Sequence, residues 1–260
     1  MASDNYLVGS STSVLSISDL RVGFWPLLAT IGLGFAVLLP SGLANAWALH
    51  LIGAQRAAAM PWIAIYINHV AMLVVALAII ALLGNGRFAD YGLRWPKKKT
   101  YVAAALTWGL LSGIWMTLVD YFPQITAHVP PEKLPLTALN IFGWLTFEGL
   151  FVGFAEEIPF RGLLQTFLMK RTSGRVRFLK YDMHVAGVIL ALLFALAHAS
   201  NFWTRPFWAA LGQQTYAFGL GILYAYWYEK SGSLLAPIVG HNLGDVVEYV
   251  LIFLMAWRWH

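Results

Sequence analysis

Long stretches without a charged side chain divide this chain. From Arg21 to Arg56, Arg56 to Arg87, Lys99 to Asp120, Asp182 to Arg205 and Arg205 to Glu229, 20 or more consecutive residues contain no Asp, Glu, Lys or Arg. An ionisable group at the centre of a bilayer costs several kcal/mol, and about 20 apolar residues cross the hydrocarbon layer as a helix. The pattern therefore predicts five spans. Two further segments are apolar but interrupted: about 136–169, with Glu148, Glu156, Glu157 and Arg161, and about 233–257, with Asp245 and Glu248. Counting them, the expected fold class is all-α, a polytopic transmembrane bundle of about seven helices with a polar intramembrane site. The first run is longer than one crossing needs and holds Pro26 and Pro40, which predicts a surface helix leading into a tilted crossing.

Composition sharpens this reading. Hydrophobic residues make up 59% of the 260 positions and charged residues 11%, against roughly 25% charge in a soluble domain. So few charges cannot cover a water-soluble fold, whereas a chain solvated by lipid needs polar groups only at its ends and loops. The absence of cysteine excludes disulfide and thiolate chemistry. Before the first apolar run stand Asp4, a Ser/Thr-rich stretch from Ser10 to Ser18, and Asp19. This is not the basic start of a cleaved signal peptide, so the first span is expected to be retained. Residues 1–20 read as a polar N-terminal segment, and 1–260 as a single integral membrane domain. Pro130, Pro131 and Pro135 mark the 120–136 connection as a structured loop.

The net charge of +5 sits in short clusters between spans and not along one folded face, so no nucleic-acid partner is expected; membrane lipids are. With seven crossings, one side carries Arg21, Arg87, Arg94, Lys97, Lys98, Lys99, Lys170, Arg171, Arg175, Arg177, Lys180 and Lys230. The other carries Arg56, Lys133, Arg205 and Arg258. The positive-inside rule then predicts a cytoplasmic N-terminus.

Five acidic residues inside apparent spans demand partners or a cavity. Glu157 and Arg161, spaced i, i+4, are expected to form a structural clamp. Glu156 projects about 100° away from Glu157 on the helix, so Arg161 cannot neutralise both, and Glu156 is left to act as a base. Pro159, Gly162, Gly149 and Gly153 predict a distorted helix around it. His198 and His241, on two other spans, fall within the same membrane layer when counted at about 1.5 Å per residue. His241 and Asp245 share a helical face. A carboxylate that activates water, with imidazoles that orient it and support an oxyanion, is a peptide-hydrolysing set. Glu with two His is also a catalytic zinc set, but the H-E-x-x-H spacing is absent, so neither metal nor other cofactor is expected.

Three ordered motifs resemble those of the CAAX protease and bacteriocin-processing family of membrane-embedded glutamate peptidases, which includes the type II CAAX prenyl endopeptidases. Glu156-Glu157-Ile-Pro-Phe-Arg161 is similar to E-E-x-x-x-R, Phe194-Ala-Leu-Ala-His198 to F-x-x-x-H, and His241-Asn242-Leu-Gly-Asp245 to H-x-x-x-N/D. The resemblance covers about 140–250, with a weaker echo at Tyr91-Gly-Leu-Arg-Trp-Pro-Lys97. It implies an intramembrane, metal-independent endopeptidase, with Glu156 as the base for water, His198 positioning that water, and His241 with Asp245 supporting the oxyanion or substrate. Glu157, Arg161, Phe194 and Asn242 would support them. It further implies a membrane-associated or lipidated protein substrate and, as location, a bacterial inner membrane. The basic loops at 94–99 and 170–180 predict admission of that substrate from the cytoplasmic side. The alternative is a non-catalytic scaffold or accessory subunit that binds another membrane protein complex, a role the 12 Trp and 16 Phe residues also fit.

Overall fold

The computed structural model describes residues 15–97, 99–131 and 135–259; Asp4, Lys98 and Lys133 lie outside them. Among the described residues, seven long helices form an all-α bundle: α1 (Phe24–Ile52), α3 (Trp62–Leu83), α4 (Val102–Asp120), α6 (Ala138–Met169), α7 (Val185–Ala197, continued after a break by the short α8, Asn201–Thr204), α9 (Phe207–Ser231) and α10 (Leu235–Trp259). The short α2 (Ala54–Ala59) and α5 (Phe122–Ala127) lie in connections. Six of the seven are long and apolar enough to cross a membrane; α9, of 25 residues, is diluted by polar side chains such as Gln213, Gln214 and Tyr216. The predicted two-part first segment is instead one continuous helix of 29 residues with Pro40 inside it.

Leu82, Trp25, Trp203 and Trp257 are among the most exposed side chains. Lipid is the solvent that removes the cost of that exposure. Trp25 and Trp95 lie near one end of the bundle, Trp203 and Trp257 near the other, as expected of side chains at the two interfaces.

The helical pattern gave no sign of a small antiparallel sheet, β1 (Leu15–Arg21), β2 (Ser173–Phe178) and β3 (Tyr181–His184), in the order β1-β2-β3. Pairing of Ile17 with Val176 puts the start of the described chain on the same face as the α6–α7 connection. On that same face Arg94 Nε donates to Gly232 O at 2.8 Å, and Gly92 O accepts from Leu234 N at 3.0 Å. The connections that carry most of the basic residues therefore share one end of the bundle.

Two contacts build the core that holds the site. Gly109 and Gly113 of α4 meet Gly240 and Gly244 of α10; a Cβ on Gly109 would lie 2.9 Å from Gly240 O. Paired small residues at i, i+4 let the two backbones approach. In α6, π-helical turns at Phe147–Phe151 and Ile158–Gln165 flank a short α-helical stretch, Val152–Glu157. Pro159 has no N–H to give to the carbonyl four residues back, so the hydrogen-bond register widens there. The distortion expected from the Pro and Gly positions thus takes the form of two π turns on either side of Glu156.

Candidate active site

The two π turns fix where the paired glutamates point. Glu157 is fully buried: its Oε1 accepts from Arg161 Nη1 at 3.0 Å and lies 2.7 Å from His241 Nδ1. Arg161, also fully buried, stacks on Phe194 with its guanidinium carbon 4.4 Å from the ring centre. Phe194 in turn touches the rings of His198 and His241 at 5.2 and 6.2 Å between centres. Arg161, Glu157 and Phe194 thus form a dry platform beneath the imidazoles.

Glu156 faces the other way, into a cavity of about 1110 Å³ that His69, His198, His241 and Asp245 also line. Its Oε1 is 3.2 Å from His69 Nε2, and its Oε2 is 3.7 Å from His241 Nε2. His241 Nε2 also lies 3.2 Å from Asp245 Oδ2. The Asp at this motif position is therefore paired with His241 and does not stand alone. Asn242 serves helix packing, its Oδ1 accepting from Gly153 N at 2.7 Å.

Hydrogen-bond arithmetic constrains the protons. His69 Nδ1 lies 2.8 Å from Ile65 O, a pure acceptor, so Nδ1 carries a proton. Its Nε2 then meets a Glu156 oxygen, and that bond forms only if one further proton is shared between them. His241 has carboxylate oxygens at both ring nitrogens, Glu157 at Nδ1 and Asp245 at Nε2. Both bonds are made by the doubly protonated ring, or by the neutral ring with one carboxyl protonated. His198 differs: it caps the C-terminus of α7, and its Nδ1 is 3.0 Å from Phe194 O, which leaves Nε2 as the acceptor.

Sequence reading missed His69. It sits in a run between Arg56 and Arg87 that looked uniformly apolar because histidine was not counted as a charge. A polar side chain inside such a span was the available signal. Asp120 and Arg205, which bound charge-free runs in the sequence, also form a cluster with Tyr216: Asp120 Oδ2 accepts from Arg205 Nη2 at 2.8 Å and Tyr216 Oη at 3.1 Å, all lining the same cavity.

The cavity corrects one expectation. Its lining runs from Glu156 to Asp120, Tyr121, Pro131, Asn201, Thr204 and Arg205, at the end of the bundle opposite the sheet. Among the described residues, none from the 84–101, 170–184 or 229–234 connections lines it. Basic loops report charge bias; the splay of helices decides where a cavity opens, and here it opens on the face away from those loops. Among the described residues, no group of three or more His, Asp or Glu is arranged to hold a metal ion.

Residues 138–247 match a family model described as Rce1-like, type II CAAX prenyl endopeptidase Rce1-like. That segment contains all three motifs, and the resemblance drawn from them holds over it. Comparison with curated proteins and with solved structures gives no significant match.

Proposed function

We propose that the protein is an intramembrane peptidase in which Glu156 activates a water. The observation that carries this reading is the contrast between the two glutamates: Glu157 is sealed against Arg161, while Glu156 faces a polar cavity among three imidazoles. Water held by Glu156 and by His198 Nε2 gives a proton to Glu156 as its oxygen attacks the substrate carbonyl carbon. The C–N bond then breaks as the proton passes to the leaving nitrogen. His241, held at Nδ1 by Glu157, would support the developing oxyanion by turning its Nε2–H from Asp245 toward it. No step requires a metal. The substrate is a membrane-associated or lipidated protein whose extended segment reaches the midplane through the cavity, and the chain resides in a bacterial inner membrane with a cytoplasmic N-terminus.

The test is a comparison of protein termini in membranes of cells that carry the native chain and Glu156→Gln, which keeps volume and hydrogen bonding. Termini that appear only with the native chain, at equal levels of folded protein, support the peptidase. Identical termini with both chains, together with a membrane protein co-purifying equally with both, would replace it by the scaffold reading.

A further inference from the structure

Between the glutamate site and the cavity mouth lies an acidic chamber of which the hydrolytic scheme uses only Asp245. Glu148 and Glu248 line the cavity with Asp120 and Asp245, and Arg205, tied to Asp120, is the one Lys or Arg among its described lining residues. Glu148 is only 7% exposed. It lines the cavity and has no hydrogen-bond or ion-pair partner among the described residues. Other lining residues also hold polar atoms without a partner, Asp120 Oδ1, Gln124 Oε1 and the donor Trp144 Nε1, but these are sealed from the cavity, whereas the Glu148 carboxyl faces it. A carboxyl held out of bulk water without a protein donor is costly, and Glu148 and Glu248 facing one cavity are complementary to a cationic N–H donor.

Position along the helices says where such a ligand sits. Glu148 precedes Glu156 by eight residues on α6, which runs from the mouth inward, and Glu248 follows His241 by seven on α10, which runs outward. Both displacements are about 10 to 12 Å toward the mouth. An extended peptide advances about 3.3 to 3.6 Å per residue. We propose that this chamber receives a Lys or Arg side chain of the substrate, about three residues to the mouth side of the scissile bond. This specificity rests on the peptidase reading.

Quenched-fluorescent peptides placed in proteoliposomes, each with one Lys or its uncharged counterpart norleucine at successive positions, test it. Charge-assisted hydrogen bonds predict kcat/KM about tenfold or more higher for Lys at one position. That ratio should fall toward one in Glu148→Gln and in Glu248→Gln, each checked for folding by thermal unfolding. No position with a Lys advantage, or an advantage unchanged in both variants, overturns the proposal. If the native protein cleaves none of the peptides, the peptidase reading fails, and the chamber is judged by peptide binding to Glu156→Gln. Tighter binding of Lys peptides that is lost on adding Glu148→Gln upholds the chamber; equal binding of Lys and norleucine peptides ends it.

Discussion

His241 stands between two consecutive glutamates, with Nδ1 2.7 Å from Glu157 and Nε2 3.7 Å from Glu156. One imidazole therefore joins the sealed ion pair to the carboxylate that faces the cavity. Through it, Glu156, the base of the proposed scheme, is coupled to a clamp sealed from the cavity, so the residues expected to carry stability are separate from those proposed to carry chemistry.

The stability part is Arg161. Its removal leaves Glu157 buried at 0% exposure without its guanidinium partner, and breaking such a pair costs about 3 to 5 kcal/mol. Arg161→Ala is expected to lower the unfolding temperature in detergent and the yield of folded protein, while Glu156→Gln leaves both near the native values. Equal loss in the two variants would assign Glu156 to structure.

In the proposed scheme His69, with Nε2 3.2 Å from Glu156 Oε1, is a positioning residue that acts through Glu156. His69→Ala is expected to lower kcat for Glu156-dependent cleavage about 100-fold, the scale of a lost acid–base partner, with little change in KM. His69→Gln retains a donor near the Nε2 position and should recover much of that loss. A defect confined to KM, or no recovery by Gln, would remove His69 from this role.

Close helix packing gives a third expectation. Gly113 packs against Gly244 and Val247 of α10, so a larger side chain there must push the two helices apart. Gly113→Val is expected to destabilise by about 1 to 3 kcal/mol or more. Gly42, also helical, has nothing within 4 Å of its Cβ position, and Gly42→Ala should be neutral or slightly stabilising. Thermal unfolding of the two variants side by side separates packing from helix propensity.

What was legible in the sequence follows from which signals are local. Charge-free runs locate helices, and the i, i+4 spacing of Glu157 and Arg161 is visible without a structure. Glu156, His198, His241 and Asp245 stand out as polar residues where lipid forbids them, and the cavity does gather all four. His69 escaped because an uncharged imidazole does not interrupt a count of charges. The strand Leu15–Arg21 alternates in sequence, but its partner lies more than 150 residues away, and nothing local announces that pairing. The direction of the cavity was illegible for a similar reason: it depends on how α4, α6, α7, α9 and α10 separate, and no single segment encodes that.

That direction yields a prediction about sidedness. The basic connections share the end of the bundle that carries the sheet, while Asn201, Thr204 and Arg205 mark the cavity mouth at the other end. If basic loops lie in the cytoplasm, the mouth opens on the outer side of the membrane, and substrate reaches Glu156 from there. The chain has no cysteine, so single cysteines report position without further changes. Thr204→Cys, exposed at the mouth, should react with a membrane-impermeant maleimide added to intact cells, whereas Ser173→Cys, in β2 of the sheet, should react only after the membrane is opened. Labelling of Thr204→Cys should also block Glu156-dependent cleavage, because the adduct occupies the passage. Labelling of Ser173→Cys in intact cells would invert the orientation. Full cleavage after complete labelling at Thr204→Cys would mean that substrate arrives by another route, between helices from the lipid.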